Sequence, residues 1–231
     1  MPNIYSSTGD GFATSLAQGS WAGARGSAGA SGDSNNTRDN FAVSVEHLAG
    51  KGGGGTSTNI RRGFMSFDTS GISIAPSEAT LKVRGYANTS ADVIVVKSTA
   101  ATTVVAGSYN DLSGASTALG NTDGSGAGTL AGVPALAYSA EITTWSFSAY
   151  VDVELNSTAL DDMASLDTFK ICIMEYDYDY LDITPSTGTS VKIGFYWADN
   201  GGTGTSLDPY IDYTAGTAVV ANNSIMFGTN F

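Results

Sequence analysis

The residues best suited to chemistry lie in one run, EYDYDYLD, residues 175–182. In an extended strand Asp177 and Asp179 fall on one face, and Tyr176, Tyr178 and Tyr180 on the other. With Asp182, the two aspartates offer hard oxygen ligands to a calcium ion. The tyrosine row offers ring faces on which sugars can stack. The simpler reading, which we favour, is a strand whose tyrosines pack and whose acids face water. Neighbouring carboxylates also suit glycoside hydrolysis. Nothing in the sequence points to a cleft or to a carboxyl of raised pKa, so no catalytic residue is assigned and the chain reads as a non-enzyme.

Other candidates are weaker. Arg61 and Arg62 precede Asp68 in IRRGFMSFDT, residues 60–69. They suit an ion pair across a sheet better than an acidic-sugar site, because an arginine beside buried aromatics commonly finds a carboxylate. Asp199, Asn200 and Asp208 flank a glycine turn and form a second possible calcium set, without the spacing of a calcium loop. Trp145, Trp21, Tyr150 or Trp197 would serve as a sugar platform if exposed; Trp197 alternates with Val191, Ile193 and Phe195 and reads as core. His47 is the single histidine and Cys172 the single cysteine. With one of each, zinc and a disulfide framework are excluded, and both residues read as structural.

These residues must be positioned by a chain of 231 residues with 29 glycines and only 14% charged residues. That composition suits turn-rich β structure and disfavours long solvated helices. The net charge is −12, from 22 acidic and 10 basic residues. Nucleic acid and anionic membrane surfaces are poor partners for such a chain. Met1 leads directly into PNIYSSTGDGF, which has neither a basic nor an apolar leader region, so no export signal is expected. No run reaches the length of a membrane span.

Alternation places the elements. Residues 60–69 carry Phe64 and Asp68 on one face and Met65 and Phe67 on the other, which predicts a central strand covered on both sides. Residues 3–7, 20–24, 41–48, 79–86, 91–97, 149–155, 169–178, 191–198 and 208–214 read as further strands. Residues 158–166 read as a short helix capped by Ser157 or Thr158, with Asp161 and Asp162 in its first turn. Residues 26–40 read as a loop, and the four glycines 52–55 as a hairpin connection. Residues 98–140 read as a long variable connection. The expected fold is an all-β antiparallel sandwich or jelly roll with one short helix. Residues 1–40 belong to the same domain, residues 41–216 form the sandwich, and residues 217–231 form a tail that suits an interface.

Four segments carry a resemblance: RRGFMSFDTSGI (61–72), EATLKVRGY (78–86), YVDVELNSTALDDM (150–163) and SLDPYIDYT (206–214). In this order they resemble the DNRLRE-type jelly-roll modules, akin to family 96 carbohydrate-binding modules. The opening NIYSSTGDGF resembles the usual start of that family. The likeness spans most of the chain and is specific to a fold family, not to a ligand. It implies a module of the kind found in tailed-phage particles: a capsid decoration or a head or tail appendage. The expected partners are major capsid or other virion proteins, with self-association as a trimer and location in the virion. The alternative it implies is adhesion to host or environmental polysaccharide. No cofactor is expected beyond a structural calcium. The closing strand lacks the basic residue usual in the family, and the tail after Tyr213 extends beyond the typical module, which suggests an added partner contact.

Overall fold

A strand with apolar side chains on both faces has to run through the middle of a structure, and β5 (Thr56–Asp68) does. The computed structural model describes residues 2–15, 17–27, 31–33, 41–50, 55–112, 136–198 and 206–218. Among these, eleven strands pair antiparallel in one continuous, curled sheet. They are β1 (Asn3–Tyr5), β2 (Gly11–Thr14), β3 (Ser31–Asp33), β4 (Val43–Ala49), β5, β6 (Glu78–Thr89), β7 (Val93–Lys97), β8 (Tyr150–Glu154), β9 (Thr168–Glu175), β10 (Thr189–Phe195) and β11 (Tyr210–Thr214). The fold is an antiparallel β-sandwich of the jelly-roll kind.

β6 is the hinge between the two layers. Its first half pairs with β11 and β8, making one layer with β1 at its edge. Its second half pairs with β10 and so joins the other layer. There β10 pairs with β4 and β4 with β5. Beyond its β4 pairing, β5 takes β9, and β9 takes β7. β2 lies along the opposite edge of β5, with β3 outside it.

The alternation along β5 then decides the packing. Met65 and Phe67 join Phe169, Ile171, Ile193 and Phe195 in a core between the layers, facing Leu81, Val83, Val151 and Val153. Phe64 and Ile60 turn the other way, with Ile94, Val96, Cys172 and Met174, into a second core. Trp21, Tyr109 and Tyr180 close that second core from outside the sheet. Trp197 is core, as its alternation requires. Gly63 leaves room for the first core: a Cβ there would sit 3.0 Å from Phe195 Cζ and 3.1 Å from Trp197 Cη2.

Several local expectations change. Residues 21–25 form α1 (Trp21–Arg25) instead of a strand. Ser20 Oγ accepts from Gly23 N at 3.2 Å, and a serine cap before small residues favours a helical turn over a strand. Trp21 is nonetheless buried, as expected. Within the expected loop 26–40, residues Ser31–Asp33 pair with β2. The short helix α2 (Ser157–Ser165) is capped by Asn156, which accepts from Ala159 N, one residue earlier than expected. Asp161 and Asp162 therefore fall beyond its first turn. Asp162 instead receives Lys97 Nζ at 2.8 Å and the Tyr138 hydroxyl. Within 98–140, residues Ala106–Asn110 form a 3-10 turn. β4 and β5 form the expected hairpin. Residues 51–54 of the glycine run, 113–135, the turn 199–205 and the tail from 219 to 231 lie outside the described residues, as do 28–30 and 34–40.

Candidate functional site

The run 175–182 does not continue β9. The buried Glu175 carboxyl accepts through Oε2 from Tyr178 N at 2.6 Å and Asp179 N at 3.1 Å. Capping by a side chain at that point turns the backbone into a single π-helical turn, Tyr176–Tyr180. The two-residue alternation is lost. Asp179 and Tyr180 go inward, while Tyr176, Asp177 and Tyr178 stay half-buried. Tyr176 and Tyr180 stack at 5.6 Å between centroids, and Tyr178 meets Trp21 edge-on at 6.5 Å. The expected tyrosine row is therefore folded against itself and against α1.

Asp179 is held by two arginines. Arg62 Nε and Nη2 donate to its two carboxylate oxygens, each at 2.6 Å, a bidentate fork. Arg25 Nη2 donates to the Asp179 carbonyl at 2.6 Å, and Arg25 Nε lies 3.5 Å from Oδ1. All three side chains are fully buried. Arg62 also donates to the Tyr109 carbonyl at 2.7 Å and lies over the Tyr109 ring at 4.0 Å. Arg25 Nη1 reaches Asp182 Oδ1 at 2.6 Å, and Trp21 Nε1 donates to the same oxygen at 3.1 Å. These contacts hold Asp182 at a φ of +61°, in the left-handed region. The Tyr109 hydroxyl donates to Ala24 O at 3.0 Å.

Burial alone would depress the Arg62 guanidinium. The Asp179 carboxylate more than offsets this and holds its pKa above the usual range. Glu175 moves the other way for a carboxyl. Burial pushes it up to about 8, against the two N–H bonds that favour its anion. Burial likewise raises the Cys172 thiol, a small buried residue of the second core.

The calcium set does not assemble. Asp179 is sealed between arginines and Asp182 is paired with Arg25. Asp177 shares its charged surroundings with Asp92 and Glu141. Partial burial first, and acidic neighbours second, raise the pKa of both. Among the described residues no group of three His, Cys, Asp or Glu is placed to hold a metal ion. Asp199 and Asn200 of the second set lie outside the described residues.

The pairing of Arg61 and Arg62 with Asp68 is also replaced. Six residues of strand separate Arg62 from Asp68 by about 20 Å, beyond reach of an ion pair. Asp68 instead accepts from Ser70 N and Oγ at the turn. Arg61 donates to Phe41 O at 2.6 Å and lies over the Phe12 ring at 4.1 Å. Trp145 is no platform: it is buried against Phe195 and its Nε1 donates to Gly194 O at 3.3 Å. His47 Nδ1 shares a hydrogen bond with Thr58 Oγ1 at 2.7 Å across the hairpin, a structural place.

Sequence reading missed Arg25 and Tyr109. The available signal was Arg25 itself, a lone cation four residues after Trp21 in a run of Gly, Ala and Ser. It named Tyr150 as a platform candidate but missed Tyr5 and Tyr210, which join it in an aromatic cluster on the outer face of the β1–β11–β6–β8 layer. Register lines up Tyr5, Tyr210, Lys82 and Asp152 across four strands. Tyr210 lies 5.5 Å from Tyr5 and 5.3 Å from Tyr150, centroid to centroid. Arg84 stands 5.8 Å above Tyr150. It makes no ion pair among the described residues. The Tyr150 hydroxyl donates toward Ser206 O and Asp208 O, and burial raises its pKa to about 12.

No protein-family model matches this chain, and no curated protein matches it.

Asp179→Asn leaves two buried guanidinium groups without their full counter-charge. It is expected to cost about 3–5 kcal/mol in urea unfolding; a loss under about 1 kcal/mol would show that the network holds little of the fold. Glu175 gives a pH signature. Its carboxyl stays protonated in the folded state up to about 8 but ionises near 4.5 when unfolded. Its contribution is thus complete below pH 4.5 and is lost as pH rises to about 8. Glu175→Gln should flatten the pH dependence of the unfolding midpoint across that window, and parallel profiles for the two proteins would refute it.

Proposed function

We propose that this chain is a non-catalytic structural protein of a phage particle, a jelly-roll decorating the capsid or forming part of a head or tail appendage. The observation that carries this reading is the fate of the chemistry-bearing run 175–182. Its carboxyl groups cap a turn and neutralise buried arginines, and two of its three tyrosines stack on each other. That is how a scaffold uses such residues. The jelly-roll resemblance in residues 61–72, 78–86, 150–163 and 206–214 supports the same assignment. Its partners would be capsid or other virion proteins, engaged through surface area contributed by loops, and its own copies, as a trimer.

A second reading has one specific observation in its favour. The Tyr5–Tyr210–Tyr150 cluster, with Arg84 beside it and the Lys82–Asp152 pair alongside, offers ring surface and hydrogen-bonding groups to a polysaccharide. The two readings are compatible on a particle that adheres to its host.

The particle reading predicts that the purified chain self-associates and rebinds particles stripped of it. A monomer that neither rebinds such particles nor is found among their proteins would rule it out. The polysaccharide reading predicts binding to acidic or neutral glycans on an array, weakened by the double substitution Tyr5→Ala and Tyr210→Ala. Silence across the array, or binding indifferent to those substitutions, would remove the cluster from consideration.

A further inference from the structure

Among the described residues, the β8 edge of the sandwich has no partner strand beyond β6. Leu155 N donates to Ala79 O at 3.0 Å and Gly85 N to Ala149 O at 3.3 Å. In an antiparallel ladder these bonds set the parity. The main-chain groups of Val151 and Val153 turn to β6, and those of Tyr150, Asp152 and Glu154 turn away. None of these three N–H groups meets an acceptor in the described structure.

Beside this edge runs an open groove, formed by two adjoining pockets of about 250 and 410 Å³ that share Ile142, Thr144 and Asp152. Its far wall, residues 139–146, is tied to β7 by the bridge between Val93 and Ile142. Asn156 closes one end, with its N donating to Tyr138 O and its Nδ2 to Ala137 O. Tyr150 stands at the open end. Glu154 and Glu141 line the groove with exposed carboxylates, and Asp152 adds a third that also holds Lys82 Nζ at 2.7 Å.

We infer that the β8 edge is a docking site for an extended segment of a partner protein carrying Lys or Arg at alternate positions, added to the sheet as a further strand. The inference rests on the particle-protein reading and states what kind of partner surface that reading needs. The unmet N–H groups supply the main-chain complementarity of strand addition. The carboxylates select the side chains: Asp152 and Glu154 sit about 7 Å apart along the edge, where basic residues two apart on an added strand come opposite them. A second copy of the chain does not fit. Antiparallel pairing of β8 with itself about Val153 sets Asp152 of each copy against Glu154 of the other, and like charges across a strand pair are unfavourable. The surplus of carboxylates, Glu154 and Glu141 beyond the Asp152–Lys82 pair, thus keeps the edge from its own copies and selects the opposite sign. The overall charge of −12 steers a basic segment in the same direction.

The test uses the full chain, isotope-labelled, with two ten-residue probes: a peptide alternating Lys and Val, and its Glu–Val counterpart. The Lys–Val peptide is expected to bind, more weakly as salt rises, and to slow hydrogen exchange at the amides of Tyr150, Asp152 and Glu154. The Glu–Val peptide is expected not to bind. Asp152→Pro removes one outward N–H and the ion pair with Lys82 but leaves the β6 main-chain ladder intact, as proline is tolerated on an edge strand. It should weaken peptide binding by about tenfold or more, the loss of a hydrogen bond plus a steric block. Asp152→Asn keeps the N–H, controls for the lost ion pair and should weaken binding less. Unprotected edge amides at millimolar Lys–Val peptide would overturn the inference, as would undiminished binding by a folded Asp152→Pro variant. Particle rebinding separates the two claims. An Asp152→Pro protein that rebinds stripped particles as well as the parent sinks the docking edge and leaves the particle reading standing. A peptide-binding edge in a chain that no particle retains does the reverse.

Discussion

The constraint on which this structure depends is the neutralisation of Asp179 by Arg62 and Arg25. Three charged side chains without solvent contact cost several kcal/mol each to bury, and only close, well-aligned partners offset that cost. The alignment is unusually demanding. A guanidinium fork meets two carboxylate oxygens in one orientation, so the pair sets where Asp179 stands relative to β5. Because the same residue's carbonyl takes Arg25, it also sets where α1 stands. One aspartate therefore fixes three segments, separated in sequence by as many as 154 residues.

The second core needs such fixing more than the first. Between the two layers, long strands interdigitate Phe, Ile, Val and Trp, and the register of the ladders positions every side chain. Behind β5 and β9 the cover is made of short pieces: a five-residue helix, a 3-10 turn and a π-helical turn. None is long enough to be stable alone. They contribute few large side chains, chiefly Trp21, Tyr109 and Tyr180. Directional bonds take over where apolar area is scarce. Tyr109 holds α1 through Ala24 O, Asn110 Nδ2 holds the following residues through Ser27 O, and Glu175 holds the turn that presents Asp179.

This contrast explains what could be read from the sequence. Period-two alternation carries β5, β8, β9 and β10, together with the two-sided burial of Phe64, Met65 and Phe67, because ladder geometry is local and repeats. The run 175–182 keeps that alternation in sequence yet abandons it in space. A side chain, Glu175, captures the N–H groups that a strand would have offered its neighbour. Arg62 and Asp68 look like partners because they are close in sequence, whereas the true partner lies 117 residues away. Trp145 sits among Thr and Ser, as an exposed residue would. Its burial depends on a distant glycine: a Cβ at Gly85 would come within 2.8 Å of its Nε1. Nothing near residue 145 encodes that gap.

The same bookkeeping of charge shapes the surface. Ten basic residues face 22 acidic ones. Arg25 and Arg62 are spent inside the second core, and Lys82, Lys97 and Lys192 are each held by a carboxylate. The exterior is left with an acidic field that its own cations do little to relieve. Such a field opposes self-association wherever copies meet acid to acid, and the β8 edge is one such place. A trimer of the kind proposed therefore has to be built on other surfaces. The acidic edge is better suited to a basic segment from elsewhere. The interior use of arginine and the basic partner proposed for the β8 edge thus follow from a single scarcity of positive charge.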